Sequence, residues 1–135
     1  MSSVRELFEH GAVAYAGTVR WGEDVPLAGP GIYIVATTHD PGDASGLLRA
    51  PLALDSLSLL LETRPEATVD GAAADIHRLA ERLNLMWPVG EPVLYIGLAG
   101  YSVQARVRQF YATRIGARGP HAGGWPIKML EGQSL

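Results

Sequence analysis

Two short runs constrain this chain more than anything else in it. They are Gly31-Ile32-Tyr33-Ile34-Val35 and Val93-Leu94-Tyr95-Ile96-Gly97. Each is dominated by branched aliphatic and aromatic residues and is bounded by turn formers: residues 26–31 and Asp40-Pro41-Gly42-Asp43 around the first, residues 88–92 before the second. Runs of that kind are strands. Side chains alternate across a strand, so Ile32 and Ile34 face one side and Tyr33 the other, while Leu94 and Ile96 oppose Tyr95. Pairing the two strands places both tyrosines on one face, with four aliphatic side chains plugging the core behind them. Gly97 is expected to leave the tyrosine face open at its strand end, where a backbone or a ligand can approach.

The rest of the chain reads mainly as helix. Ser3 followed by Glu6 is a capping box that opens a short helix ended by Gly11. Val13, Tyr15 and Val19 predict an extended segment, a hairpin arm running through Trp21. The leucine-rich residues 51–63 predict a helix begun by Pro51 in its first turn and ended at Arg64-Pro65. Asp70 is expected to cap a second helix, over 71–85, in which Ile76, Leu79, Ala80 and Leu83 recur at helical spacing. Ser102 is expected to cap a third, from about Val103 to Ile115, stopped by Gly116. Residues 125–130 fit either a short strand or a helical turn. Two strands with three central helices predict a small α/β or α+β sandwich. It forms one domain over 1–135, with a helical insertion over 43–91 between the strands. Such an insertion is tolerable because loop-closure entropy grows slowly with length.

With no cysteine among 135 residues, the chain has no disulfide and no thiolate metal site, so a metal would sit on oxygen or imidazole. The net charge of −3 speaks against a strongly basic nucleic-acid binder. That average conceals an asymmetry. Residues 1–95 carry six basic and thirteen acidic side chains, a net of −7. Residues 96–135 carry Arg106, Arg108, Arg114, Arg118 and Lys128 against Glu131 alone, a net of +4. A basic end on an acidic body marks a candidate anion-binding face, or ordinary solvated charge. The first ten residues lack the apolar centre of a signal peptide. The longest aliphatic run, over 57–61, is far short of the roughly 18 apolar residues of a membrane span. The expectation is a soluble, cytoplasmic protein.

Gly31-Ile32-Tyr33 and Tyr95-Ile96-Gly97, complete and in that order, resemble the signature triplets of the GIY-YIG nuclease superfamily. The helix after the second triplet, Val103-Gln104-Ala105-Arg106-Val107-Arg108-Gln109-Phe110-Tyr111, is similar to the family's arginine helix. The resemblance covers residues 31–35 and 93–118. It implies a small sheet flanked by helices, and an endonuclease that hydrolyses DNA phosphodiesters with Mg²⁺ or Mn²⁺. By the same resemblance Tyr33 helps activate the attacking water with Tyr95 beside it, Arg106 holds the scissile phosphate, and a glutamate binds the metal. The chemistry is coherent, because phosphate hydrolysis is mainly positioning and charge neutralisation. A guanidinium fork matches phosphate oxygens. A tyrosine with a pKa near 10 serves as a base only where a nearby cation lowers that value.

The sequence also departs from the family. Tyr33 and Tyr95 stand 62 positions apart, where the family usually has a short hairpin loop. The spacing from Tyr95 to Arg106 is one residue longer than the common pattern, which makes Arg108 the fallback, pointing about 200° away on the helix. One turn after Arg106 stands Phe110, where the family has Tyr or His, so either the adjacent Tyr111 takes that role or the role is absent. Downstream only Glu131 remains as a metal ligand: either it substitutes for the family's glutamate, or the chain is a truncated or degenerate member that binds nucleic acid or protein without hydrolysis. His121, in a glycine-rich basic loop, is a candidate proton donor to the leaving oxygen or a surface-loop residue. Arg108, Arg114, Arg118 and Lys128 are candidate DNA contacts.

Overall fold

The structure is a computed structural model and describes residues 2–115, 125–130 and 135. In chain order the elements are α1 (Val4–His10), β1 (Gly31–Ala36), α2 (Leu54–Thr63), β2 (Thr68–Val69), β3 (Ala72–Ala73), α3 (Ile76–Leu85), β4 (Val93–Ala99), α4 (Val103–Ala112) and a 3₁₀ turn (Trp125–Met129). The class is α+β: among the described residues, helices with two two-stranded antiparallel sheets, β1–β4 and β2–β3. The chain divides into two compact units. One comprises residues 1–48, 88–112 and 132–135, the other 49–87 and 113–131.

The first unit is built on β1 and β4. They pair antiparallel with Tyr33 opposite Gly97, Ile34 opposite Ile96 and Val35 opposite Tyr95, and the register slips between Val35 and Ala36. The paired strands are therefore far apart in sequence but adjacent in space. Where the chain leaves and returns to this unit its backbone closes on itself: the Gly90 N–H donates to the Leu47 carbonyl at 3.0 Å. A Cβ at Gly46 would collide with the backbone of Gly90 and Glu91, so glycine is required at that crossing.

The two faces of the sheet have different covers. α4 lies on the odd-numbered face, where Val35, Ala99, Val103, Val107 and Phe110 are all buried. Val103 packs so closely on Gly31 that a Cβ there would stand 3.0 Å from its Cγ2. α1 lies on the even-numbered face: Val4, Leu7 and Phe8 join Ile32, Ile34, Ala36 and Val93 in one apolar cluster. The capping box of α1 forms as the sequence predicts, with the Glu6 N–H donating to Ser3 Oγ at 3.2 Å and the Ser3 N–H to Glu6 Oε2 at 3.0 Å. The expectation of four aliphatic plugs needs correction. Ile34 is buried and Ile32 and Leu94 are half-buried, but Ile96 is 56% exposed. The seven residues of α1 cover the β1 half of this face.

Among the described residues the expected arm pairs not with a hairpin mate but with Leu135, with which Val19 exchanges both backbone hydrogen bonds at 2.7 and 2.8 Å. Residues 21–29 run along α4, and the carbonyls of Gly29 and Leu27 accept from the N–H groups of Val103 and Gln104 at 2.9 Å each. Ser102 Oγ takes the next donor, the Ala105 N–H, at 3.1 Å, so Ser102 is the cap that its sequence position suggests. The first three N–H groups of α4 thus have partners inside the protein.

The second unit packs α2, α3 and the 3₁₀ turn around Leu57, Leu79, Leu83 and Met129. Two sequence expectations are corrected here. α2 starts at Leu54 with Ala53 as its cap, so Pro51 precedes the helix rather than opening it. Asp70 caps nothing: with Gly71 it makes the turn of the β2–β3 hairpin, at φ 50° and φ 82°. Two successive positive φ values are the type I′ geometry for which Asp-Gly is suited. The cap of α3 is Asp75, whose Oδ1 accepts the Arg78 N–H at 2.7 Å. Residues 125–129 form the helical turn, and Leu130 then bridges Leu52 as a single antiparallel pair.

Candidate functional site

Tyr33 and Tyr95 stand on the same face of the sheet, on opposite strands and diagonal to one another. Their ring centroids are 6.1 Å apart with planes inclined at 38°. Gly97 is what lets Tyr33 take this position: the ring lies over Gly97, and a Cβ there would fall inside contact distance of its Cζ, Cε1 and hydroxyl. The glycine therefore does not leave the face open. The Tyr33 ring fills the space that a side chain would take.

Arg106 reaches the pair from the first half of α4. The Tyr33 phenol interacts with both the Tyr95 side chain and the Arg106 guanidinium. Nη1 of that guanidinium donates to Gln109 Oε1 at 2.9 Å. Tyr33 is only 6% exposed, whereas Tyr95 and Arg106 are half-buried. A ligand would therefore meet Arg106 and Tyr95 first and Tyr33 beneath them. Burial, then the neighbouring Tyr95, push the Tyr33 phenol up to about 12, and the opposing pull of Arg106 does not offset them. At neutral pH Tyr33 is a protonated phenol, a hydrogen-bond donor and not a base.

The fallback arginine has a different partner. Arg108 forms a two-pronged ion pair with Asp24, Nε to Oδ1 and Nη2 to Oδ2, both at 2.8 Å. Gln104 Nε2 adds a third donor to the same carboxylate at 2.9 Å. This holds the Asp24 carboxyl below its ordinary range, chiefly through the Arg108 hydrogen bonds. Arg106 and Arg108 thus diverge on the helix as their spacing requires, one toward the tyrosines and one toward the arm.

Tyr111 does not join the tyrosine pair. Its hydroxyl donates to the Glu23 carbonyl at 2.9 Å. Its ring meets Trp21 edge-on at 4.9 Å, and burial pushes its phenol up to about 12. Phe110 is the residue facing the site: it packs edge-on against Tyr95 at 5.7 Å and against Trp21 at 5.2 Å. The position one turn after Arg106 is therefore an apolar support for the Tyr95 ring.

Of the remaining candidates, Arg114 and Lys128 belong to the second unit. Arg114 is exposed. The Lys128 ammonium donates to the Thr113 carbonyl, and burial lowers its pKa. Arg118, His121 and Glu131 lie outside the described residues. Asp24 and Gln104 are the residues that the sequence reading did not single out. Asp24 stands 84 positions from Arg108, and nothing local marks an acid for so distant a partner.

Among the described residues no group of three or more His, Asp or Glu side chains is placed to hold a metal ion. Two phenols and a guanidinium do not make a hard-cation site, which takes carboxylate and carbonyl oxygens. No helix among the described residues is long and apolar enough to cross a membrane. Comparison of the chain with protein-family models, curated proteins and solved structures finds no match to any of them.

Proposed function

We propose that the Tyr33–Tyr95–Arg106 face binds the phosphodiester backbone of DNA and is the hydrolytic site of a GIY-YIG-type endonuclease. The observation that carries this reading is the convergence of three residues from three elements on one face. Sequence motifs alone selected these three. Arg106 offers its planar fork at the surface, where it holds a phosphate and balances charge developing on the oxygens. Tyr33, protonated, donates to a phosphate oxygen or orients a water. Tyr95 fixes that hydroxyl from the side, and Phe110 fixes Tyr95. The family resemblance implies Mg²⁺ or Mn²⁺ as the Lewis acid. The described residues do not fit such an ion.

A second reading, a nucleic-acid-binding module without hydrolysis, is favoured by the upward shift of Tyr33 and by the donor set around it. One experiment separates the two. Supercoiled plasmid is incubated with the protein and Mg²⁺ or Mn²⁺, with Tyr33→Phe and Arg106→Ala in parallel. Nicking by the wild type that both substitutions abolish supports the nuclease. Salt-dependent binding without nicking in either metal supports the binding module. Absence of both removes nucleic acid as the partner.

A further inference from the structure

The first unit holds a cavity of about 580 Å³. Its described lining comes from α1, residues 13–19, residues 25–27, residues 30–34, Val103 and Leu135, all of them in that unit. Tyr33 is the one residue it shares with the tyrosine face; among the described residues neither Tyr95 nor Arg106 lines it. One wall is firm, because Phe8, Ile32 and Ile34 belong to the apolar cluster beneath α1. Tyr15, on the facing wall, is held edge-on to Phe8 at 5.6 Å, with the Arg5 guanidinium 5.6 Å from its ring centre. The cavity opens to solvent beside Leu27, which is 38% exposed. Packed interiors hold few voids larger than a water molecule, whereas pockets for small ligands run from about 300 to 1,000 Å³.

We propose that this cavity binds an uncharged, largely apolar small molecule whose hydrogen-bond acceptor, the oxygen of a ketone, ester or quinone, meets the hydroxyls of Tyr15 and Thr18. The chemistry of the wall selects this occupant. None of the described lining residues has a charged side chain. A charged ligand would give up its hydration to side chains that hold no opposite charge. Apart from Tyr15, Thr18 and Tyr33 the described lining side chains are wholly apolar, so most of the ligand surface meets carbon. The Tyr15 and Thr18 hydroxyls are hydrogen-bonded to each other. That bond uses one of their two protons, whichever hydroxyl donates, and the second proton is the donor offered to a ligand. An apolar body with a few placed polar groups is the usual make-up of a small-molecule site. This site is independent of DNA binding at Arg106, which does not line it.

The test titrates the full chain with three fluorescent probes. N-phenylnaphthylamine is uncharged, anilinonaphthalene sulfonate is the same skeleton with a charge, and prodan is an uncharged naphthyl ketone. Both neutral probes are expected to saturate one site, and the sulfonate to bind about tenfold more weakly or worse than N-phenylnaphthylamine, since a desolvated charge costs more than the roughly 1.4 kcal/mol of a tenfold change. Leu27→Trp and Val13→Trp each place an indole in the cavity and are expected to abolish saturable binding. Their urea midpoints are expected to hold or rise, because the added ring enters existing space; overpacking would lower them. The double substitution Tyr15→Phe with Thr18→Val removes both hydroxyls and is expected to weaken prodan about fivefold and N-phenylnaphthylamine by less. Absence of saturable binding by both neutral probes, a sulfonate that binds as tightly as its neutral counterpart, unchanged binding in the two tryptophan variants, or a fall in both their midpoints would each overturn the proposal. Undiminished prodan binding by the double variant would overturn the role of the hydroxyls.

Discussion

The ring of Tyr33 occupies the space in which a side chain at Gly97 would have to stand. The two residues are direct partners across the β1–β4 ladder, so the last glycine of one motif exists for the tyrosine of the other. Gly97→Ala is expected to destabilise the protein by about 3 kcal/mol, because a buried ring has to leave its position. Tyr33→Ala removes the obstruction at the cost of a cavity. The double variant is then expected to be more stable than the sum of the two single losses by about 1–3 kcal/mol. Urea unfolding of the four proteins measures this, and simple additivity would refute the contact.

Burial of Tyr33 has a consequence at alkaline pH. Its phenol titrates at about 12 in the folded protein against 10 for the exposed group. Below pH 10 the group is neutral in both states and the native contacts are intact. Between pH 10 and 12 the unfolded chain loses its proton and the folded one does not, so stability falls across that window. Two pK units correspond to about 2–3 kcal/mol. Unfolding free energies measured from pH 9 to 11.5 are expected to decline less steeply in Tyr33→Phe than in the wild type. An equal decline in both would show that Tyr33 ionises freely.

The two arginines of α4 are expected to differ in DNA binding, if the face binds DNA as proposed. Arg106→Ala removes a phosphate contact and is expected to lower the slope of log K against log salt by about 1. Arg108 is already held by Asp24 through two hydrogen bonds of 2.8 Å. Arg108→Ala is expected to leave that slope unchanged. Asp24→Asn, which weakens the hold on Arg108, is expected to raise affinity. Fluorescence anisotropy of a labelled duplex at four salt concentrations decides the matter. Equal slopes for Arg106→Ala and the wild type would remove Arg106 from the phosphate site.

Much of the site could be read in the sequence because it rests on short-range rules. Alternation along a strand fixes which face Tyr33 and Tyr95 take, and a spacing of two residues on a helix separates Arg106 from Arg108. What could not be read depends on partners far away in the chain. The use of Gly97 needs the β1–β4 register, and Asp24 needs α4 beside residues 21–29. The exposure of Ile96 needs the packing of α1, whose apolar cluster takes in Val93 of β4 but not Ile96. Periodicity alone could not show that, since an alternating strand is equally compatible with either face being covered.

The Asp-Gly pair at 70–71 was a local signal that a competing local signal obscured. Asp70 can open a helix as well as a turn, and the helical spacing of Ile76, Leu79 and Leu83 extends the apparent helix backward to it. The two structures make opposite predictions for Gly71→Ala. At the first position of a helix the substitution would stabilise by up to about 1 kcal/mol, since alanine is the better helix former. At φ 82° in the hairpin turn it places a Cβ in the left-handed region and is expected to destabilise by about 1–2 kcal/mol. The cap of α3 supplies the control. Asp75→Ala removes the acceptor of the Arg78 N–H and is expected to cost about 1 kcal/mol with a small loss of helical ellipticity. Stabilisation by Gly71→Ala together with an unchanged Asp75→Ala would return the start of the helix to Asp70.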